Sequence, residues 1–100
     1  MQFIVIAYDG TDDKALQRRM AVREAHLENA KKFFANDKWL YACAILNNAG
    51  DMIGSTIICD FSSREELNEQ WLNSEPYVLG DVWKDITIHP AQVPAMLLER

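Results

Sequence analysis

Short apolar runs alternate along this chain with segments of helical periodicity. Four runs rich in β-branched and aromatic residues are typical of strands: 2–8, 39–47, 52–61 and 82–89. Residues 12–36 and 62–73 repeat apolar side chains every three or four positions, which is typical of helices. The order β-α-β-β-α-β predicts a ferredoxin-like α+β domain, with a four-stranded antiparallel sheet and both helices on one face.

The first helix carries an apolar stripe. Its members recur on one side of the helix and are expected to face the sheet: Leu16, Met20, Leu27, Ala30 and Phe34. Thr11 or Asp12 is expected to cap the N-terminus of this helix, because either side chain can accept a hydrogen bond from the first turn. Asn36 and Asp37 are expected to end the helix.

Local signals bound the other elements. Ser62 and Glu65 have the spacing of a capping box at the start of the second helix. Gly50 supplies the positive φ that a hairpin loop between the second and third strands needs. The prolines that follow the fourth strand predict an irregular tail over residues 90–100.

Both faces of the predicted strands are apolar. In the first strand, Phe3 and Val5 alternate with Ile4 and Ile6, whereas a solvated antiparallel face would alternate with polar residues. One layer of helices covers only one face of the sheet. We therefore expect the other face to pack against the same face of a second copy, giving a homodimer.

Length and charge limit the function further. The 100 residues are expected to form one domain with its core over residues 2–90. The net charge of −5 opposes a nucleic-acid partner, because phosphates need a concentrated basic surface. No apolar run is long enough to span a membrane and the N-terminus is typical of a strand, so a cytoplasmic location is expected. Cys43 and Cys59 are expected to be buried reduced thiols.

One side of the first helix gathers groups that can do chemistry. Arg19, Arg23 and His26 fall within a sector of about 60° at the edge of the apolar stripe. Histidine exchanges protons near neutral pH, and an arginine in apolar surroundings needs an anion such as Asp9 or Glu75. We interpret this pattern as an acid/base site in which His26 moves a proton, Asp9 orients it and Arg23 holds an anionic substrate. The alternative is structural, with salt-bridged arginines and a half-buried, hydrogen-bonded histidine.

Two further segments carry candidate groups. Gly54 precedes Ser55 within a strand, which marks close approach by a ligand or by another backbone, or else crowding at the dimer interface. Glu75 and Tyr77 either place a carboxylate and a phenol at the site or simply follow the end of the second helix. Two separated histidines and the lack of a Cys-x-x-Cys pair oppose a metal site, and no phosphate loop is present, so we expect no metal and no organic cofactor.

Four motifs occur in order along residues 2–90. They are Tyr8-Asp9 after an apolar strand, Arg19-x-x-x-Arg23-x-x-His26-Leu27, Gly54-Ser55 and Glu75-Pro76-Tyr77-Val78-x-Gly80. Their order and spacing resemble the YCII-related family of small bacterial proteins.

The resemblance implies a dimeric α+β barrel with an active site built around a His and an Asp, which match His26 and Asp9. Where the family has Asp before Pro-Tyr, this chain has Glu75, which keeps the charge and lengthens the arm. The family includes a dehydrochlorinase that acts on a chlorinated hydroxyhydroquinone, and its fold is similar to that of muconolactone isomerases.

We therefore expect a cofactor-independent enzyme that performs an elimination or isomerisation on a small anionic or phenolic molecule. The residues expected to bind the substrate are Arg23, Arg19, Tyr8, Ser55, Glu75 and Tyr77. The first alternative is a non-catalytic ligand-binding or accessory dimer that keeps the pocket without the chemistry. The second is an RNA-recognition-like module, which needs a basic surface that this acidic chain lacks.

Overall fold

The structure is a computed structural model that describes residues 1–99, and Arg100 lies outside the described residues. The strands are β1 (Gln2–Asp9), β2 (Trp39–Leu46), β3 (Met52–Asp60) and β4 (Trp83–Ala91). The helices are α1 (Ala15–Ala35), α2 (Arg64–Gln70) and α3 (Pro76–Leu79), with 3₁₀ turns at Leu72–Ser74 and Ala95–Leu97. Within residues 1–99, no helix has the length and apolar character needed to cross a membrane.

The sheet confirms the predicted ferredoxin-like architecture. Its strand order is β2-β3-β1-β4 and its pairings are antiparallel, with Val5 opposite Ile57 on one side and Ile88 on the other. The alternate residues of β1 that include Phe3 and Val5 are buried in the core, which also takes in side chains from the segment after β3. The core therefore lies on the single face that the helices cover.

The inward face of α1 differs from the one that the apolar stripe predicts. Arg19 and His26 are the buried residues of this helix, whereas Leu16 and Phe34 of the stripe are exposed. At about 100° per residue, the observed inward side lies about a quarter turn from the stripe. The reason is that the two polar side chains find buried partners on the sheet and at the start of α3, whereas only Ala30 of the apolar stripe packs against the core.

The start of each long helix also differs in detail. Lys14 occupies the N-cap of α1 without a side-chain cap, and the carboxylate of Asp12 instead binds the Arg18 guanidinium at 2.6 and 2.8 Å. The capping residue of α2 is Ser63, whose hydroxyl accepts the backbone N–H of Glu66 at 3.1 Å. The helix is therefore capped one residue later than predicted, and the Glu66 side chain accepts a hydrogen bond from Gln70 instead of completing a capping box.

The fourth strand continues through Pro90, which the sequence assigned to an irregular tail. Pro90 pairs with Phe3, and β4 stands at an edge of the sheet. An edge strand accepts proline because its outer side needs no backbone donor.

Two small residues confirm their predicted roles in the β2–β3 hairpin. Gly50 has a φ of +88° in the loop. A Cβ on Gly54 would meet the backbone oxygen of Ala7, so the close approach at this position is that of the neighbouring strand.

The two cysteines differ in exposure. Cys59 is buried as predicted, whereas Cys43 was predicted to be buried and is exposed. Cys43 lies in the middle of β2, which forms the other edge of the sheet.

Candidate functional site

Local backbone structure places Glu75 at the start of α3. Pro76 occupies the first turn of this helix, and the residue before a proline avoids the helical region. Glu75 accordingly has φ −62° and ψ 125°, and its side chain caps the helix by accepting the backbone N–H of Tyr77. The cap turns the carboxylate inward, towards the middle of α1.

His26 meets this carboxylate in the protein interior. Nδ1 of His26 lies 2.8 Å from Oε2 of Glu75, which also accepts the Tyr77 N–H at 2.9 Å. Oε1 of Glu75 accepts Nε1–H of Trp71 at 2.9 Å. Glu75 is 0% exposed, and each of its carboxyl oxygens accepts a hydrogen bond inside the protein in place of water.

This geometry fixes which nitrogen of His26 is available. A carboxylate at Nδ1 favours a proton there, which leaves Nε2 of a neutral ring as an acceptor. His26 is 7% exposed, and Nε2 makes no hydrogen bond within residues 1–99. In this arrangement a carboxyl group orients a histidine, as in enzymes that use histidine as a general base. Glu75 would be the orienting group and Nε2 of His26 the base.

Aromatic rings enclose His26. Its imidazole stacks on Tyr77 with centroids 3.9 Å apart and planes inclined by 15°. Trp39 and Trp83 approach it with centroids 5.7 and 6.2 Å away. Packing on several sides limits the rotation of the ring, so the hydrogen bond to Glu75 is held in place.

A second buried cluster lies beside the first. Nη1 of Arg19 contacts the two carboxylate oxygens of Asp9 at 3.0 and 3.1 Å, and Nη2 of Arg19 donates to Oγ of Ser55 at 2.8 Å. The guanidinium carbon of Arg19 lies 4.6 Å from the centroid of the Tyr77 ring. Tyr77 thus contacts Arg19 as well as His26 and links the two clusters.

Burial governs the acid–base behaviour of this second cluster. Burial raises the pKa of Asp9, and the hydrogen bond and positive charge of Arg19 oppose this rise. Burial likewise raises the pKa of the Tyr77 phenol, against the positive charges of Arg19 and Arg23.

The pairing of acids and bases differs from the one predicted. His26 takes Glu75 as its partner where Asp9 was expected, and Asp9 takes Arg19. The reason is distance along the helix, because Asp9 ends β1 close to the start of α1, near Arg19. His26 lies seven residues further along α1, about 10 Å at the helical rise, which brings it to α3.

The remaining predicted residues occupy two environments. Arg19 and Ser55 are buried, whereas Arg23 is half-buried and Tyr8 is exposed. Arg23 makes no ion pair with any residue of the range 1–99. Arg23 and Tyr8 are therefore the predicted binding residues that solvent reaches most easily.

The tryptophans around His26 were not predicted as site residues. The spacing of Trp71 and Glu75 within a short helical segment is the one sequence signal that indicates their hydrogen bond. No sequence signal marks Trp39 or Trp83, since each reaches His26 from the first residue of a different strand.

Two cavities lie near these clusters. One of about 490 Å³ reaches Asp9 and Tyr8 and is lined further by Leu16 and the loop after β1. The other, of about 1030 Å³, is a groove between α1 and β2 whose wall includes Leu27 and Trp39. His26 lines neither of these two cavities, although Trp39 contacts both the groove and the His26 ring. Within residues 1–99, no group of three or more His, Cys, Asp or Glu is placed to hold a metal ion.

A solved structure with the same fold belongs to an enzyme. It is the 5-chloro-2-hydroxyhydroquinone dehydrochlorinase TftG from Burkholderia phenoliruptrix AC1100, in complex with 2,5-dihydroxybenzoquinone. The two structures agree with a TM-score of 0.82 over 96% of this chain and 98% of that one, at 20% sequence identity.

Sequence comparison gives the family. Protein YciI of Shigella flexneri is 30% identical over 96 residues, and an uncharacterised protein of Haemophilus influenzae is 31% identical over 98 residues. Each match covers 90% of this chain and 95% of the relative. The model of the YCII-related domain matches residues 1–92. The chain therefore belongs to the YCII-related family, as its motifs predicted.

Proposed function

We propose that this protein is a cofactor-independent enzyme that catalyses proton transfer, in an elimination or isomerisation, on a small anionic or phenolic molecule. The observation that carries the proposal is the 2.8 Å contact between Nδ1 of His26 and the buried carboxylate of Glu75. A buried acid that orients a histidine through Nδ1 is the arrangement that lets Nε2 accept and return a proton.

Each residue of the site has a role in this proposal. Nε2 of His26 removes the proton, and Glu75 stabilises the imidazolium that forms. Arg23 binds the substrate anion, because it is a half-buried cation one helical turn from His26 that makes no ion pair within residues 1–99. Tyr8 lines the cavity beside Asp9 and is the second residue of the site that a ligand can reach.

Asp9 keeps a place in the proposed site through Arg19. The Asp9–Arg19 ion pair fixes the guanidinium that contacts Tyr77, and Tyr77 is the surface on which His26 stacks. Ser55 completes this support by accepting a hydrogen bond from Arg19. Asp9 and Ser55 therefore act as positioning residues, and the base is held directly by Glu75.

The dehydrochlorinase that shares this fold suggests a first substrate to test. Loss of HCl from 5-chloro-2-hydroxyhydroquinone removes one proton and releases chloride with the bonding electrons, leaving 2-hydroxybenzoquinone. The reaction needs a base and an anion-binding group, and it needs no oxidant or metal. The groups around His26 supply both requirements.

A homodimer through the open sheet face is also part of the proposal. Ile4 and Ile6 point to this face with Tyr8, and Tyr8 is 45% exposed in the monomer. Burying an apolar sheet face against its own copy removes this surface from water, and two-fold symmetry is the commonest way to do so. The cytoplasmic location stays a prediction.

A non-catalytic ligand-binding dimer is the second candidate function. The observation in its favour is that His26 is only 7% exposed and lines neither of the two cavities near it. A protein of this type would bind small anions without converting them.

Turnover by a His26→Gln variant separates the two functions. Chloride release from 5-chloro-2-hydroxyhydroquinone is measured without oxygen, with Glu28→Gln as the matched control because Glu28 is exposed on α1, away from the open sheet face. We expect His26→Gln to lose activity by at least about a hundredfold and Glu28→Gln to keep it. Equal turnover by wild type and His26→Gln would remove His26 from the mechanism, and binding by the wild type without chloride release would favour the second function.

A further inference from the structure

Buried donors without acceptors are concentrated around His26. The buried side-chain nitrogens that have no hydrogen-bond partner within residues 1–99 are Nε of Arg18, Nε of Arg19, Nε1 of Trp39 and Nε1 of Trp83. Arg18 binds Asp12 away from the core, whereas the other side chains all contact His26 or Tyr77. Each unpartnered atom is a donor, and none is an acceptor.

Such a group of donors is unusual in a folded protein. Buried polar atoms are nearly always hydrogen-bonded, and leaving one unpartnered costs about 1–3 kcal/mol. Trp39 is 3% exposed and Trp83 is 5% exposed, so bulk water does not compensate for the loss. The third tryptophan of the ring cluster shows the contrast, because Nε1–H of Trp71 donates to Glu75.

The indoles flank the base from two directions. Trp39 begins β2 and Trp83 begins β4, and these strands form opposite edges of the sheet. Both indoles nevertheless contact the His26 ring, with centroids 5.7 and 6.2 Å away. The unpartnered N–H donors of Trp39 and Trp83 therefore belong to side chains that contact the ring of the proposed base from two different strands.

We propose that the indole N–H groups of Trp39 and Trp83 bind the oxygen atoms of an acceptor-rich oxyanion, of the phenolate or hydroxyquinone class. The proposal rests on the proposed function, since proton removal by His26 would create negative charge on such an oxygen. N–H donors held rigidly in a low-dielectric site stabilise that charge more than water does. Trp39 also lines the groove of about 1030 Å³ between α1 and β2, so one of the two indoles borders a cavity.

Indole N–H resonances test the proposal in the unmodified protein. The chain has three tryptophans, so the ¹H–¹⁵N spectrum carries three indole signals. Titration with 2,5-dihydroxybenzoquinone, which is doubly ionised at neutral pH, should move the signals of Trp39 and Trp83 downfield in a saturable way. The Trp71 signal is the internal control and should move least, because its N–H is already bonded to Glu75.

The Trp39→Phe and Trp83→Phe variants test affinity. Each removes one N–H and keeps an aromatic ring, and we expect each to weaken binding of 2,5-dihydroxybenzoquinone by about tenfold, as the loss of one hydrogen bond predicts. The neutral 1,4-dimethoxybenzene is the control ligand, and its affinity should change far less. Thermal unfolding of each variant shows whether the fold is kept. If a variant does not fold, the titration of the wild-type indole signals tests the proposal.

Two outcomes overturn the proposal. One is saturable binding of 2,5-dihydroxybenzoquinone that leaves the Trp39 and Trp83 signals in place, which would mean that structural water occupies these donors. The other is no binding of 2,5-dihydroxybenzoquinone at millimolar concentration. The proposed function fails separately, because shifts of both indole signals together with unchanged turnover in His26→Gln would leave the oxyanion site standing and remove the base.

Discussion

Glu75 and His26 form a hydrogen-bonded pair that the fold assembles from the cap of one helix and the middle of another. Oε2 of Glu75 lies 2.8 Å from Nδ1 of His26 and also caps α3. The same oxygen therefore serves the fold and the base at once. A change at Glu75 is expected to affect both stability and chemistry.

Glu75→Gln is expected to destabilise the protein. The amide keeps the length of the side chain but replaces one oxygen by a donor, while His26, Trp71 and the backbone of Tyr77 present donors to it. At least one buried donor is then left without an acceptor, which costs about 1–3 kcal/mol. Urea unfolding measures the loss.

Glu69→Gln is the matched control, because Glu69 is exposed on α2. We expect its unfolding free energy to stay within about 0.5 kcal/mol of the wild type. A Glu75→Gln protein that is as stable as Glu69→Gln would show that Glu75 does not hold these donors. Proton-transfer activity should also fall in Glu75→Gln and remain in Glu69→Gln.

The architecture could be predicted from the sequence, and the orientation of α1 could not. Alternating apolar runs gave the β-α-β-β-α-β order, because each strand and helix has its own periodicity. The stripe through Leu16 and Phe34 predicted the wrong buried face of α1. The sequence alone does not show that Arg19 and His26 pair with buried carboxylates elsewhere in the fold. A buried ion pair overrode the hydrophobic pattern of this helix.

The site residues could be predicted better than their pairing. Motif order and residue type selected His26, Asp9 and Glu75, all of which the structure buries. Choosing between Asp9 and Glu75 as the partner of His26 requires the position of α3 relative to α1, and that position depends on tertiary packing. The indoles of Trp39 and Trp83 were missed for the same reason, because nothing local links either residue to His26.

Asp9 is expected to contribute a specific pH dependence to stability. Burial raises its pKa above the ordinary value of 3.8, so the native protein holds a proton at this group more tightly than the unfolded chain does. The contribution of Asp9 to the unfolding free energy is therefore fully present when the pH is below its ordinary pKa. It is lost as the pH rises through the raised pKa of the folded protein. Urea unfolding from about pH 3 to about pH 7 measures it.

The Asp9→Asn variant isolates this contribution. The other carboxyl groups titrate equally in both proteins, so the difference in unfolding free energy between wild type and Asp9→Asn should vary with pH only through Asp9. We expect the unfolding free energy of the wild type, relative to that of the variant, to decline as the pH rises from about 3 to about 7. An opposite slope would mean that Arg19, rather than burial, controls the protonation of Asp9.

Gly54→Ala is expected to destabilise the sheet more than Gly50→Ala. A methyl group at Gly54 would collide with the backbone oxygen of Ala7 on β1, and backbone cannot rotate away as a flexible side chain can. Overpacking of this kind costs about 1–3 kcal/mol, or more where a strand must move. Gly50 has open space around it, so Gly50→Ala bears only the strain of its φ of +88°. Equal losses in the two variants would show that β1 and β3 yield easily at this point.

The two cysteines provide a labelling test of the proposed dimer. Burial raises the pKa of Cys59 to about 12, so this thiol is expected to stay unreactive towards a disulfide reagent at neutral pH until the protein unfolds. Cys43 is exposed in the monomer and is paired with Thr56, which lies opposite Ile6 on the open face of the sheet.

A homodimer through the open face would cover Cys43. The native protein should then show one reactive thiol per chain when dilute, and the rate of labelling at Cys43 should fall as protein concentration rises. The control is Cys43→Ser, which should leave no rapid labelling at any concentration. A labelling rate that is independent of concentration, together with a monomeric mass by sedimentation, would place the contact between copies elsewhere or rule it out.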